Sequence, residues 1–81
     1  MLFDRILPAE AVSGALRITL IDRRQVLIEQ HRGIIGYTEN KVTVRLKDGY
    51  LVLCGEGLKI GEYSGQDVAV SGKVCSLEFK P

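Results

Sequence analysis

From Leu16 onward, apolar and polar residues alternate with a period of two. Leu16, Ile18 and Leu20 are separated by Arg17 and Thr19, and that period sends successive side chains to opposite faces of an extended strand. Asp22-Arg23-Arg24 reads as a turn. Val26 and Ile28 then carry the pattern onto a second strand, with Leu27 adding apolar character to the other face. His31-Arg32-Gly33 turns the chain again, and Ile34 to Tyr37 supplies a short third strand. After the polar stretch Thr38-Glu39-Asn40, Val42, Val44 and Leu46 alternate with Thr43, Arg45 and Lys47. Lys47-Asp48-Gly49 is the clearest hairpin signal, because Asp-Gly tolerates the positive φ of a tight turn between two alternating runs. Tyr50 to Cys54 is apolar throughout and predicts a strand buried on both faces, or nearly so.

Gly55-Glu56-Gly57 then predicts a break, Leu58-Lys59-Ile60 a short strand, and Gly61 to Gln66 the loosest stretch. Val68 and Val70 alternate with Asp67 and Ala69, Gly72 interrupts, and Val74 to Phe79 closes the chain. Seven or eight short strands follow from this pattern. Their density predicts an all-β fold, a small antiparallel meander curled into a sandwich or barrel. The apolar centres near Val44, Val52, Ile60, Val68 and Leu77 are almost evenly spaced, which makes a short β-solenoid the competing architecture. A meander shows the same spacing and is the simpler reading.

The first dozen residues differ. Leu2, Phe3, Ile6 and Leu7 share one face of a helical turn, with Asp4 and Arg5 opposite. Pro8 favours a break there and suits the first position of a second turn through Val12, which Ser13-Gly14 ends. The expected organisation is an N-terminal helical arm, residues 1–13, and a single β domain, residues 14–81. The apolar face of the arm either caps the core of a small sheet or docks on a partner, and capping is the simpler reading.

Size and charge narrow the functions available. At 81 residues the chain is one domain. It buries only about 60–65% of its unfolded surface, so oligomerisation or a partner would help it. A net charge of +1 gives no long-range pull on nucleic acid or anionic lipid and little repulsion between copies. There is no 18-residue apolar run to span a membrane, and no basic leader followed by a long apolar stretch. A reduced cytoplasmic setting is the expectation.

Candidate chemistry is sparse. His31, between Glu29 and Arg32, is a conceivable general base. It has no neighbouring nucleophile in sequence, and a polar residue that hydrogen-bonds its own turn is the simpler reading. Cys54 and Cys75 sit in apolar company on expected strands, where free cysteine is usually buried. With a single histidine they make a poor metal set. Gly55-Glu56-Gly57 lacks the Lys-Ser/Thr and the strand-to-helix setting of a phosphate loop. Asp22-Arg23-Arg24 and Arg32 would form a phosphate-contacting patch if two loops met, although solvated turn charges explain them more simply. The expectation is no enzyme, no cofactor and no metal. Protein contacts are assigned to Leu2, Phe3, Ile6 and Leu7 and to the turn at Glu29, His31, Arg32 and Gly33.

Several segments together resemble the YabP/YqfC family of sporulation proteins, the YqfC branch more closely. They are Arg17 to Ile21, Gln25 to Ile34 (QVLIEQHRGI), Gly49 to Ile60 (GYLVLCGEGLKI) and Val70 to Phe79 (VSGKVCSLEF). The family pattern is an apolar strand, a turn, "I-E-N-H/Y-K-G-I", "G-x-L-x-I-x-G-x-x-L-x-I" and a terminal "G-x-I-x-S-I-x-F". This chain has Gln30 for the usual Asn, Arg32 for Lys, and Asp22-Arg23 for a common Gly-Asn turn. The resemblance implies a non-enzymatic structural or assembly component of the mother-cell cytoplasm during endospore maturation. It also implies a sporulation membrane protein as partner, with a homo-oligomer as a further expectation and no nucleic acid. The alternative is a small nucleic-acid-binding barrel of the Sm-like kind, whose first motif Val42 to Gly49 resembles and whose second Val70 to Val74 resembles faintly. The separation between them is short for that fold, and no aromatic and basic stacking platform is evident.

Overall fold

The computed structural model describes residues 15–81. It is all-β, as the alternation predicts. The strands are β1 (Arg17–Ile21), β2 (Gln25–Glu29), β3 (Ile34–Thr38), β4 (Lys41–Leu46), β5 (Gly49–Tyr63) and β6 (Asp67–Lys80). They form one sheet in the order β1-β2-β6-β5-β4-β3, and every ladder in it is antiparallel. Stacked solenoid rungs would pair in parallel, so that architecture is excluded. The sheet is open, with β1 and β3 as its edges. The proposed arm, residues 1–13, lies outside the described residues.

Three expectations are corrected. The run β3 to β6 is a meander, but β2 pairs with β6 rather than β3. The described residues form six strands, not seven or eight, because the glycines at 55, 57 and 72 bend the long strands without ending them. Tyr50 to Cys54 is not buried on both faces: Leu51 and Leu53 point into the core, while Tyr50 is exposed and Val52 and Cys54 are half-buried.

The bend has a steric cause. A Cβ at Gly55 would collide with the backbone carbonyl of Lys73. Gly72 has φ 130°, and a Cβ there would sit 2.6 Å from the Gly57 carbonyl oxygen. The two long strands therefore cross at a separation that only glycine permits. The β5–β6 register slips between Cys54 and Gly55, between Glu56 and Lys59, and between Ile60 and Tyr63. Such bulges bend strands and increase their twist. Each long strand thus serves two half-sheets. The first half of β5 pairs with β4 and with the end of β6, while the first half of β6 pairs with β2 and with the end of β5.

The four-residue link from Glu29 to Ile34 shows that the half-sheets face each other. In a flat sheet of this order β2 and β3 would stand about 19 Å apart at ~4.8 Å per strand. Five Cα steps reach about 17 Å fully extended, and this link is not extended, since Gln30 has φ 69° and Gly33 φ 131°. The sheet must fold over itself. Val26 and Ile28 of β2 and Val68 and Val70 of β6 meet Val42 and Val44 of β4 and Leu51 and Leu53 of β5. Leu58 and Val74 lie at the bend, and all ten belong to one buried cluster. Full burial stabilises each such side chain by about 1.5–3 kcal/mol.

Candidate functional site

The link between β2 and β3 is where the two half-sheets are tied. The His31 N–H donates to the Gln66 carbonyl at 2.9 Å, on the β6 side. One residue later the Arg32 N–H donates to the Arg45 carbonyl at 2.7 Å, and the Arg45 N–H donates to the Gly33 carbonyl at 2.7 Å. Arg32 and Gly33 thereby extend the β3–β4 pairing, while His31 stays with the other half.

The His31 side chain is 1% exposed. Its Nδ1 accepts a hydrogen bond from the Gly33 N–H at 2.9 Å, so the neutral ring carries its proton on Nε2. Nε2 makes no hydrogen bond among the described residues. The ring stands edge-to-face with Tyr63, centroids 5.5 Å apart at 65°, an arrangement aromatic pairs favour. The side chain's contacts among the described residues are with its own turn and with Tyr63, so its atoms hold a turn. A protein meeting this region would touch exposed Arg32, not the buried ring. Glu29 ends β2 beside Arg17, whose Nε lies 3.9 Å from its carboxylate, and opposite Asp67 on β6. The candidates Leu2, Phe3, Ile6 and Leu7 lie outside the described residues.

A second tie holds the β3–β4 turn on the bend of β5. Gly55 N–H donates to Asn40 O and Leu58 N–H to Glu39 O. The Asn40 amide returns a bond to Gly55 O at 3.1 Å, and the Tyr37 hydroxyl donates to Leu58 O at 2.7 Å. Gly55-Glu56-Gly57 is therefore a strand bulge gripped by a turn, with no ligand loop in it.

The edge strands carry features that the sequence pattern hides. On β1, Leu20 is 47% and Ile21 51% exposed; on β3, Ile35 and Tyr37 are each 49% exposed. Ile35 and Tyr37 alternate as the buried strands do, and Leu20 and Ile21 are consecutive apolar residues, so only the strand order shows that all four lie on edges. Cys54 and Cys75 are both free thiols. Cys75, expected to be buried, is exposed because it falls where the β5–β6 register slips. Arg32 does not join Asp22-Arg23-Arg24, since the two turns lie at opposite ends of β2. Among the described residues no group of three or more His, Cys, Asp or Glu could hold a metal, and no helix is long and apolar enough to cross a membrane.

The sequence matches the YabP family over residues 13–81. It is similar to the uncharacterized protein YqfC of Bacillus subtilis (strain 168), with 28% identity over 73 residues, 90% of this chain and 78% of that protein. No solved structure matches. The match covers all six strands, so the folded sheet described above is the matched unit, and the chain belongs to the YabP family.

Proposed function

We infer that this chain is a non-enzymatic structural or assembly component acting in the mother-cell cytoplasm during endospore maturation. Its partner on this reading is a sporulation membrane protein, and copies of the chain also associate with one another. The supporting observation is the pair of open sheet edges, β1 and β3, on a chain of the YabP family. An edge strand offers unpaired backbone groups to another strand, and here Leu20, Ile21 and Ile35 surround those groups with apolar surface. The endospore setting comes from the family resemblance.

The test is genetic and physical together. In a spore-forming host, deletion is expected to lower the yield of mature spores, and a fluorescent fusion is expected in the mother cell. A variant carrying Ile21→Lys and Ile35→Lys is expected to fold yet fail to restore spore yield. Normal spores from the deletion strain, or full rescue by the double variant, would overturn the reading.

A further inference from the structure

The loop joining β1 to β2 lies against the bend of β6 and borders an open groove of about 900 Å³. Among the described residues its charged lining is Arg23, Arg24 and Lys73 with the carboxylate of Asp22, and Ser71 also lines it. Two backbone bonds fasten the loop there: Gly72 N–H to Arg24 O at 3.0 Å, and Val74 N–H to Arg23 O at 2.8 Å. A third, Arg24 N–H to Ile21 O at 2.8 Å, closes the loop on itself. The floor is equally fixed, because the Gly72 backbone runs against Gly57 with no room for a Cβ.

Two observations make this more than a solvated turn. Arg23 has φ 58°, a left-handed conformation that strains a non-glycine residue and that glycine adopts freely. The fold gains no compensating bond from the side chain, since neither Arg23 nor Arg24 is ion-paired among the described residues. Lys73, across the groove, makes among the described residues a solvent-exposed pair with Glu56 at 3.5 Å, which is weak and exchangeable.

We propose that this groove binds the phosphate group of a phosphate ester. Two guanidinium forks, an ammonium and a hydroxyl present more donors than a planar carboxylate can accept, and they suit a tetrahedral oxyanion. The groove is far larger than bare phosphate and falls in the range of organic ligand sites, so the phosphate carries a substituent. A lipid headgroup and a soluble phosphate ester share this chemistry.

The full chain is titrated with glycerol 3-phosphate while backbone amide and arginine side-chain NMR signals are followed. Its sedimentation with phosphatidylglycerol-containing vesicles is compared with that on phosphatidylcholine alone. Saturable shifts at Arg23, Arg24, Ser71 and Lys73 support the site. Added sedimentation on the anionic vesicles identifies a lipid headgroup, and its absence a soluble ester. Arg23→Gly and Arg24→Gln are each expected to weaken binding at least about tenfold, as loss of a charge-assisted bond does. Lys47→Gln, a cation outside the groove, is expected to leave binding unchanged. Arg23→Gly is a control against misfolding, because glycine suits the turn and the melting temperature should hold or rise. No shifts and no sedimentation, or undiminished binding by Arg23→Gly, would overturn the proposal.

Discussion

His31 is constrained through its backbone and through its side chain. Its Nδ1 holds Gly33 in the turn, and its ring fills buried space against Tyr63. His31→Leu leaves the Gly33 N–H without that acceptor, and the expected loss is about 1–3 kcal/mol. His31→Asn, whose side-chain oxygen offers an acceptor at a similar reach, should lose less. Urea denaturation of the two variants measures the difference, and equal losses would mean that packing, not the hydrogen bond, is what matters. That His31 would bond its own turn is legible from its place between a strand end and Gly33. Its burial is not, because Gln66 and Tyr63, more than thirty residues away, supply it. The glycines divide in the same way. Gly55→Ala drives a Cβ into the Lys73 carbonyl, whereas Gly65 has nothing within 4 Å. The first substitution should cost several times as much as the second, which belongs with ordinary surface changes of within about 0.5 kcal/mol.

At the scale of the strand, local alternation located almost every stretch of extended chain. It misjudged continuity. A glycine inside an apolar run reads as a break in sequence, yet at 55 and 72 it allows the backbones of β5 and β6 to cross. Only the partner strand shows the difference. Strand order was equally hidden, because β2 and β3 are adjacent in sequence and their separation in the sheet follows from which of them fits beside β6. Cys54 and Cys75 record this slip. With Cys54 half-buried and Cys75 exposed, a thiol reagent added to the native protein should modify Cys75 first. Mass spectrometry of a time course, after digestion, reads the order. The open edges have their own expected signature: in a light-scattering concentration series the apparent mass should climb above that of the monomer. Ile21→Lys together with Ile35→Lys should hold it at the monomer, since charge on an edge opposes strand addition.

For the molecule as a whole, the shared core decides cooperativity. Leu58 lies at the bend and is fully buried with residues of both half-sheets, so neither half keeps a complete core without it. Leu58→Ala is expected to cost about 2–5 kcal/mol of a total on the order of 4–12 kcal/mol. Hydrogen exchange at Val26 and Val44, one in each half, should accelerate together. Separate unfolding of the halves would refute the single core. The central position of β6, paired on one flank with β2 and on the other with β5, also sets the timetable of synthesis. Of the six described strands, the last to be made is the one that joins the rest. The first hairpin is complete at Glu29, yet its docking strand ends at Lys80, an interval of roughly 3–10 s at the usual rates of translation. During that wait Val26 and Ile28 have no neighbour from their own chain on the β6 flank. The β6 of another copy offers them the same flank, so protein made at high local density is expected to contain strand-exchanged dimers that dilute refolding does not form, and light scattering of the two preparations checks it.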